Sequence, residues 1–323
     1  MSVDYELTDF AQVPDLVPQV TSLTNAAFAE YEGAMEVSEQ WTDWYLQRPG
    51  TDPKLCQAAL DDGKLVSQVI VCQQDLQLGG ELLRCGIVDS VATEPGHRRR
   101  GLARALMERA HEAMQEADID AAVLYTNPED HPYRFYLRLG YRERARAAML
   151  VGPWPAESGC GALPVDAAEH RAGLCDLLNE YYVGHEGYSP GCRELWRWHK
   201  LEAPSPPTVV AELTGAGPAS TASFARASVR IGGRQHTVSL AYDIAAEVMN
   251  PEQYGGLLST APRETVALLL DEDSPERRWA DDLGFEPQIA EVSMVLPLGR
   301  EASLALQERS GPWYVMVESV VGV

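Results

Sequence analysis

The segment His97-Arg98-Arg99-Arg100-Gly101-Leu102-Ala103 sets three cations and a glycine between an apolar run, Gly86 to Thr93, and a helical spacing of apolar residues, Leu102, Leu106, Met107, Ala110 and Met114. A strand that feeds a helix through a glycine turn presents backbone N–H groups with no partner inside the helix. With the helix dipole they favour an anion, and a pyrophosphate is the anion such a turn suits. Asp89 shares the strand face of Ile87, Val91 and Thr93, and Tyr136 sits beside Phe135 in a short helical stretch, where spacing alone reads it as a tyrosine packed on the helix face.

The elements that must position these groups occur twice. Residues 1–153 read as a helix from Thr21 to Glu36, a segment with Trp41, Trp44 and Tyr45, two strands about Gly79-Gly80, the arginine turn and its helix, a strand from Ala121 to Tyr125, a helix from Pro132 to Leu139, and a strand from Arg142 to Val151. After a Pro/Gly-rich linker, Gly152 to Gly161, residues 162–298 repeat the order: Trp196 and Trp198 echo Trp41 and Trp44, Gly232-Gly233 echo Gly79-Gly80, Asp243 echoes Asp89, and Leu283-Gly284-Phe285 echo Leu139-Gly140-Tyr141. Residues 299–323 form a tail. If Gly255 is set against Gly101, Glu252 replaces Arg98, and Ala280 stands where the first copy has Tyr136. An acid there repels phosphate, so the second copy reads as a fold without the site.

The 323 residues carry 48 acids against 26 lysines and arginines, a formal charge of −22. Nucleic acid and anionic membrane are poor partners for such a chain, and cationic small molecules suit it better. No signal-like start or bilayer-length apolar run is visible, so a cytoplasmic protein is expected. The six cysteines show no zinc spacing, and no metal is called for.

The run Arg98-Arg99-Arg100-Gly101-Leu102-Ala103, preceded by Val91-Ala92-Thr93-Glu94-Pro95 and followed by Asn127 and Phe135 to Tyr141, resembles the GCN5-related N-acetyltransferase (GNAT) family. The tandem arrangement is similar to that of the Eis-like acetyltransferases, whose usual sterol-carrier-like third domain the tail is too short to hold. The resemblance implies an α+β protein of two tandem GNAT folds, each with a mixed, mostly antiparallel sheet flanked by helices. It implies acetyl-CoA as co-substrate, its pyrophosphate on Arg98, Arg99, Arg100, Gly101, Leu102 and Ala103, and its pantetheine arm along Val91, Ala92, Thr93 and Asn127. Tyr136 would be the general acid, with Tyr133 as fallback.

The base is left between Asp89, a purely structural Asp89, and the carboxylate of Val323. Glu30, Tyr31 and Trp44 would line the acceptor pocket, where carboxylates and aromatic faces suit an ammonium. The activity implied is acetyl transfer to the primary amine of a small cationic molecule by direct attack. The alternatives are a protein lysine or N-terminal acetyltransferase and an acyl-CoA-binding regulatory or scaffold protein without turnover.

Overall fold

The computed structural model describes residues 5–29, 31, 36–153, 160–190, 193–262 and 265–317. The first half runs β1 (Glu6–Asp9), α1 (Leu16–Phe28), α2 (Glu39–Leu46), β2 (Gln57–Asp61), β3 (Lys64–Leu78), β4 (Glu81–Thr93), α3 (Leu102–Glu116), β5 (Ala121–Thr126), α4 (His131–Arg138) and β6 (Arg142–Pro153). The second runs β7 (Leu163–Pro164), α5 (Arg171–Tyr182), α6 (Arg193–Leu201), β8 (Thr208–Thr214), β9 (Gly217–Ile231), β10 (Arg234–Ala246), α7 (Pro251–Leu258), β11 (Thr265–Asp271), α8 (Pro275–Asp282) and β12 (Glu286–Pro297), and α9 (Arg300–Ala305) follows. The first helix begins at Leu16 rather than near Thr21, because Pro18 falls in its first turn, where a missing N–H costs no helical bond.

The two halves do not keep separate sheets. One twelve-stranded sheet has the order β1-β2-β3-β4-β5-β12-β6-β11-β10-β9-β8-β7, which gives the same succession of elements from either end. Each half surrenders its last strand: β12 lies against β5, with Val292 opposite Thr126, and β6 lies against β11, with Leu268 opposite Leu150. The expectation of one sheet per half is corrected accordingly, since alternation in β6 and β12 specifies which face is buried but not which neighbour is paired.

Apolar side chains cover both faces. Leu102, Leu106, Met107, Ala110 and Met114 of α3 pack on Val88, Leu124, Val292 and Met294, so that a strand of the second half completes the first half's core. Across the middle, the rings of Trp44 (α2) and Trp198 (α6) stack at 4.2 Å and 4°. Their contact is reciprocal: Trp44 Nε1 donates to the Trp198 carbonyl at 3.1 Å, and Trp198 Nε1 to the Trp44 carbonyl at 2.9 Å. A self-complementary contact of this kind is what a two-fold interface produces.

Candidate active site

The arginine turn is built as an anion cradle. Arg99 (φ 61°) and Gly101 (φ 83°) are both left-handed, and Gly101 is the N-cap of α3 with no side chain capping the helix and no acid in its first turn. The first N–H groups of a fifteen-residue helix are therefore aimed at the surface, on a backbone that alternates in hand as anion-binding nests do. The side chains brace this turn. Arg98 donates to the carbonyls of Thr93 (3.2 Å) and Ala27 (2.9 Å), and Arg100 to Tyr5 Oη (2.7 Å) and the Gly96 carbonyl (3.2 Å). Leu102 anchors the helix start in the core, Ala103 is half-buried, and Arg99 is exposed.

Beside the turn the sheet opens. β4 and β5 run parallel and pair only from Cys85↔Ala121 to Ile87↔Val123, although β4 continues to Thr93 and β5 to Thr126. Ser90, at φ 45°, marks a bulge in β4 opposite β3 that turns the strand end away. The resulting wedge has Val91 and Thr93 on one side and Asn127 at the end of the other. Ala92 is buried, Thr93 Oγ1 bonds Ser67 Oγ at 2.8 Å, and Asn127 Oδ1 accepts from Glu129 N at 2.9 Å.

Tyr136 closes this region from α4. It is 7% exposed, its ring centroid 5.3 Å from Phe135 and 5.9 Å from Tyr141. Burial, then the nearby Tyr31 and Asp89, hold its phenol above the ordinary tyrosine range, so it stays protonated at neutral pH. The fallback Tyr133 is partly buried against the same core, and its hydroxyl is bonded to Glu143.

Asp89 is not a free base. Its carboxylate accepts from Tyr45 Oη at 2.7 Å and from Arg48 Nη1 at 3.3 Å, in an ion pair whose side chains are 5% and 1% exposed. Protonating Asp89 would leave a buried guanidinium without that counter-charge. Sequence reasoning passed over Arg48, which looks like one surface arginine among many until α2 places it against β4. Nor is Asp243 the counterpart of Asp89. Ile70 faces Asp89 and Ser223 faces Tyr242, so Asp243, at φ 50°, is the bulge residue equivalent to Ser90.

The expected acceptor wall is partly reassigned. Trp44, 7% exposed, is used in the contact with Trp198. Tyr31 does line a groove of about 790 Å³, with Arg98, Asn127, Asp130 and Glu272 and with Gly232 of the β9–β10 turn. Glu30 lies outside the described residues. So does Val323, although the segment leading to it, Trp313 to Val317, is buried at the centre and brings Met316 Sδ to 3.8 Å from Arg48 Nη2.

The second half closes the equivalent places. α7 starts with Asn250, whose side chain accepts from Gln253 N, and carries Glu252 in its first turn. Gly255 lies inside that helix, buried and facing Leu283, so setting it against Gly101 was off by a turn. The wedge beyond Ala241↔Leu268 retains about 50 Å³ and is lined by Trp313, Tyr314 and Val315. Trp313 N donates to Asp271 at 2.6 Å, and Tyr314 Oη bonds Asp243. Ala280 takes the place in α8 that Tyr136 has in α4.

This architecture is shared with solved acyltransferase structures. An N-myristoyltransferase of Saccharomyces cerevisiae with bound myristoyl-CoA superposes with a TM-score of 0.72 at 13% identity, covering 98% of this chain and 86% of that one. A conserved protein of Enterococcus faecalis V583, described as a probable N-acyltransferase, gives 0.66 at 14% identity, and a GCN5-related N-acetyltransferase of Anabaena variabilis gives 0.66 at 13%; each comparison covers 93% of this chain and 74% of the other. At such identities the likeness shows the fold. No curated protein matches the sequence. Residues 12–144, which hold the turn, the wedge and Tyr136, match the family described as acetyltransferase (GNAT) domain, and the chain that carries this domain is an acyltransferase.

Proposed function

We propose that the protein transfers an acetyl group from acetyl-CoA to the primary amine of a small cationic acceptor, with one working site, in the first half. The observation that carries this reading is the uncapped N-terminus of α3, on a turn with two left-handed residues, beside a wedge that Tyr136 overlooks. The turn's N–H groups would hold the pyrophosphate. The unpaired edges of β4 and β5, with Asn127, would hold the pantetheine arm, and acetyl-CoA itself supplies the acyl group as a thioester.

Tyr136 then stands as the acid. A phenol kept neutral by burial can give its proton to a thiolate only as that thiolate forms. Asp89 with Arg48 fixes Tyr45 and the end of β4, an orienting role rather than proton uptake. The acids beside the groove, Glu129, Asp130 and Glu272, favour a cation as acceptor. The second half acts as a wall and as donor of β12.

The test is calorimetric titration with acetyl-CoA of the wild type and of Gly101→Glu. That substitution puts an L-residue at φ 83° and a carboxylate at the anion cradle. One site per chain in the wild type and at least about tenfold weaker binding in the variant are expected. Two sites, or equal binding by the variant, would refute the single-site reading.

A further inference from the structure

α1 ends near the groove with no basic residue of its own in its last turn, and its terminal carbonyls are met from elsewhere in the chain. Arg98 of the arginine turn donates to the Ala27 carbonyl at 2.9 Å, Tyr31 N to that of Phe28 at 3.1 Å, and Arg230 of β9 to that of Ala29. Two guanidiniums, one from each half, thus meet the negative end of one helix. Tyr31, whose ring meets that of Phe28 edge-on at 5.7 Å, is the residue this arrangement sets on the groove.

Arg230 reaches the first half because of its place in the strand. Val229 faces the central core, so alternation turns Arg230 to the opposite face of β9, two residues before the tip of the β9–β10 hairpin. The tip is the pair Gly232-Gly233, with φ of 57° and 73°, flanked by Ile231 opposite Arg234. Two left-handed residues in a two-residue turn are what asparagine and glycine suit. Gly232 lines the groove with Tyr31, and a Cβ added to it would meet nothing within 4 Å. The matching tip in the first half is employed otherwise: a Cβ on Gly79 would come to 1.7 Å from the Ala305 carbonyl oxygen, and Gly79 N donates to Glu186 at 3.2 Å. One tip is locked into the fold, and the other is left open on the groove.

We propose that the β9–β10 hairpin of the second half sets which amines the site admits, with Arg230 as the positioning residue for Tyr31 and Gly232 as the gap into which bulky acceptors extend. The inference rests on the transferase reading above. A guanidinium held on the end of α1 fixes where Tyr31 stands relative to the turn that Arg98 braces. The missing side chain at Gly232 leaves that rim of the groove open. One methylene too many or too few in a shaped pocket is worth about 10- to 200-fold in kcat/KM, so a single side chain at this rim is enough to change the choice of acceptor.

The experiment compares wild type with Gly232→Asn, Arg230→Met and Arg230→Lys. Thiol release is measured with primary amines graded in bulk, from ethylamine through phenethylamine to tryptamine, beside acetyl-CoA titration and thermal unfolding. Gly232→Asn suits the left-handed turn and should fold as wild type does, yet lower kcat/KM for the bulkiest amine accepted at least about tenfold more than for the smallest. Arg230→Met should raise acceptor KM about tenfold, with a smaller effect on kcat and with acetyl-CoA affinity retained, and Arg230→Lys should recover part of the loss. An unchanged order of preference among amines in Gly232→Asn overturns the assignment and leaves the transferase reading standing. So does an Arg230→Met enzyme with the wild-type acceptor KM, whatever its thermal stability, or wild-type turnover confined to ethylamine. If wild type releases no thiol with any amine, the transferase reading itself fails, and the assignment with it.

Discussion

Replacing Tyr136 by Phe should separate catalysis from folding. The ring stays packed on Phe135 and Tyr141, and no protein group among the described residues hydrogen-bonds its hydroxyl, so deletion removes one polar atom at the edge of a core. The stability change should stay within about 1 kcal/mol in urea denaturation. Loss of a positioned acid is worth about 10²- to 10⁴-fold in rate, or about 2.7–5.5 kcal/mol of transition-state stabilisation. Thiol release at saturating acetyl-CoA should show that loss in kcat, with acetyl-CoA affinity by calorimetry unchanged. Because burial keeps the phenol protonated beyond its ordinary range, the wild-type profile should show no alkaline decline owed to Tyr136 below about pH 10. A variant with kcat within about threefold of wild type would refute the role of Tyr136.

Two further predictions concern the joint between the halves and the ion pair beneath the wedge. Trp44→Ala should cost about 3–5 kcal/mol in urea denaturation, and a double-mutant cycle with Trp198→Ala should give coupling of about 1–3 kcal/mol; additive losses would mean that the stacked pair is not a joint. Arg48→Met should destabilise by about 3–5 kcal/mol, and Arg48→Met with Asp89→Asn by clearly less, because the pair of changes removes both charges; equal losses would show that the Asp89 charge is compensated elsewhere.

The parts of the site that lie close together in sequence were legible from it. The turn from His97 to Ala103, the apolar stripe of α3 and the place of Tyr136 on its helix depend on local spacing, and the structure builds each of them. The mistakes arise where the answer depends on distant neighbours. Trp44 has the character of a pocket aromatic, and its use against Trp198 is fixed only when the two halves meet. Asp243 matches Asp89 letter for letter, but it takes the bulge position that Ser90 holds in β4, one residue further on, a placement the letters do not carry.

The exchange of β6 and β12 has a consequence for what can be removed. A fragment ending at the linker would keep the turn, the wedge and Tyr136, but it would expose the edge of β5 that β12 covers and offer β6 no partner strand, an invitation to aggregation. Two such fragments could repair each other only by meeting, and their activity would fade on dilution. Joining both halves in one polypeptide replaces that meeting with a fixed effective concentration. The second half is needed for the strand it lends, whatever its own chemistry.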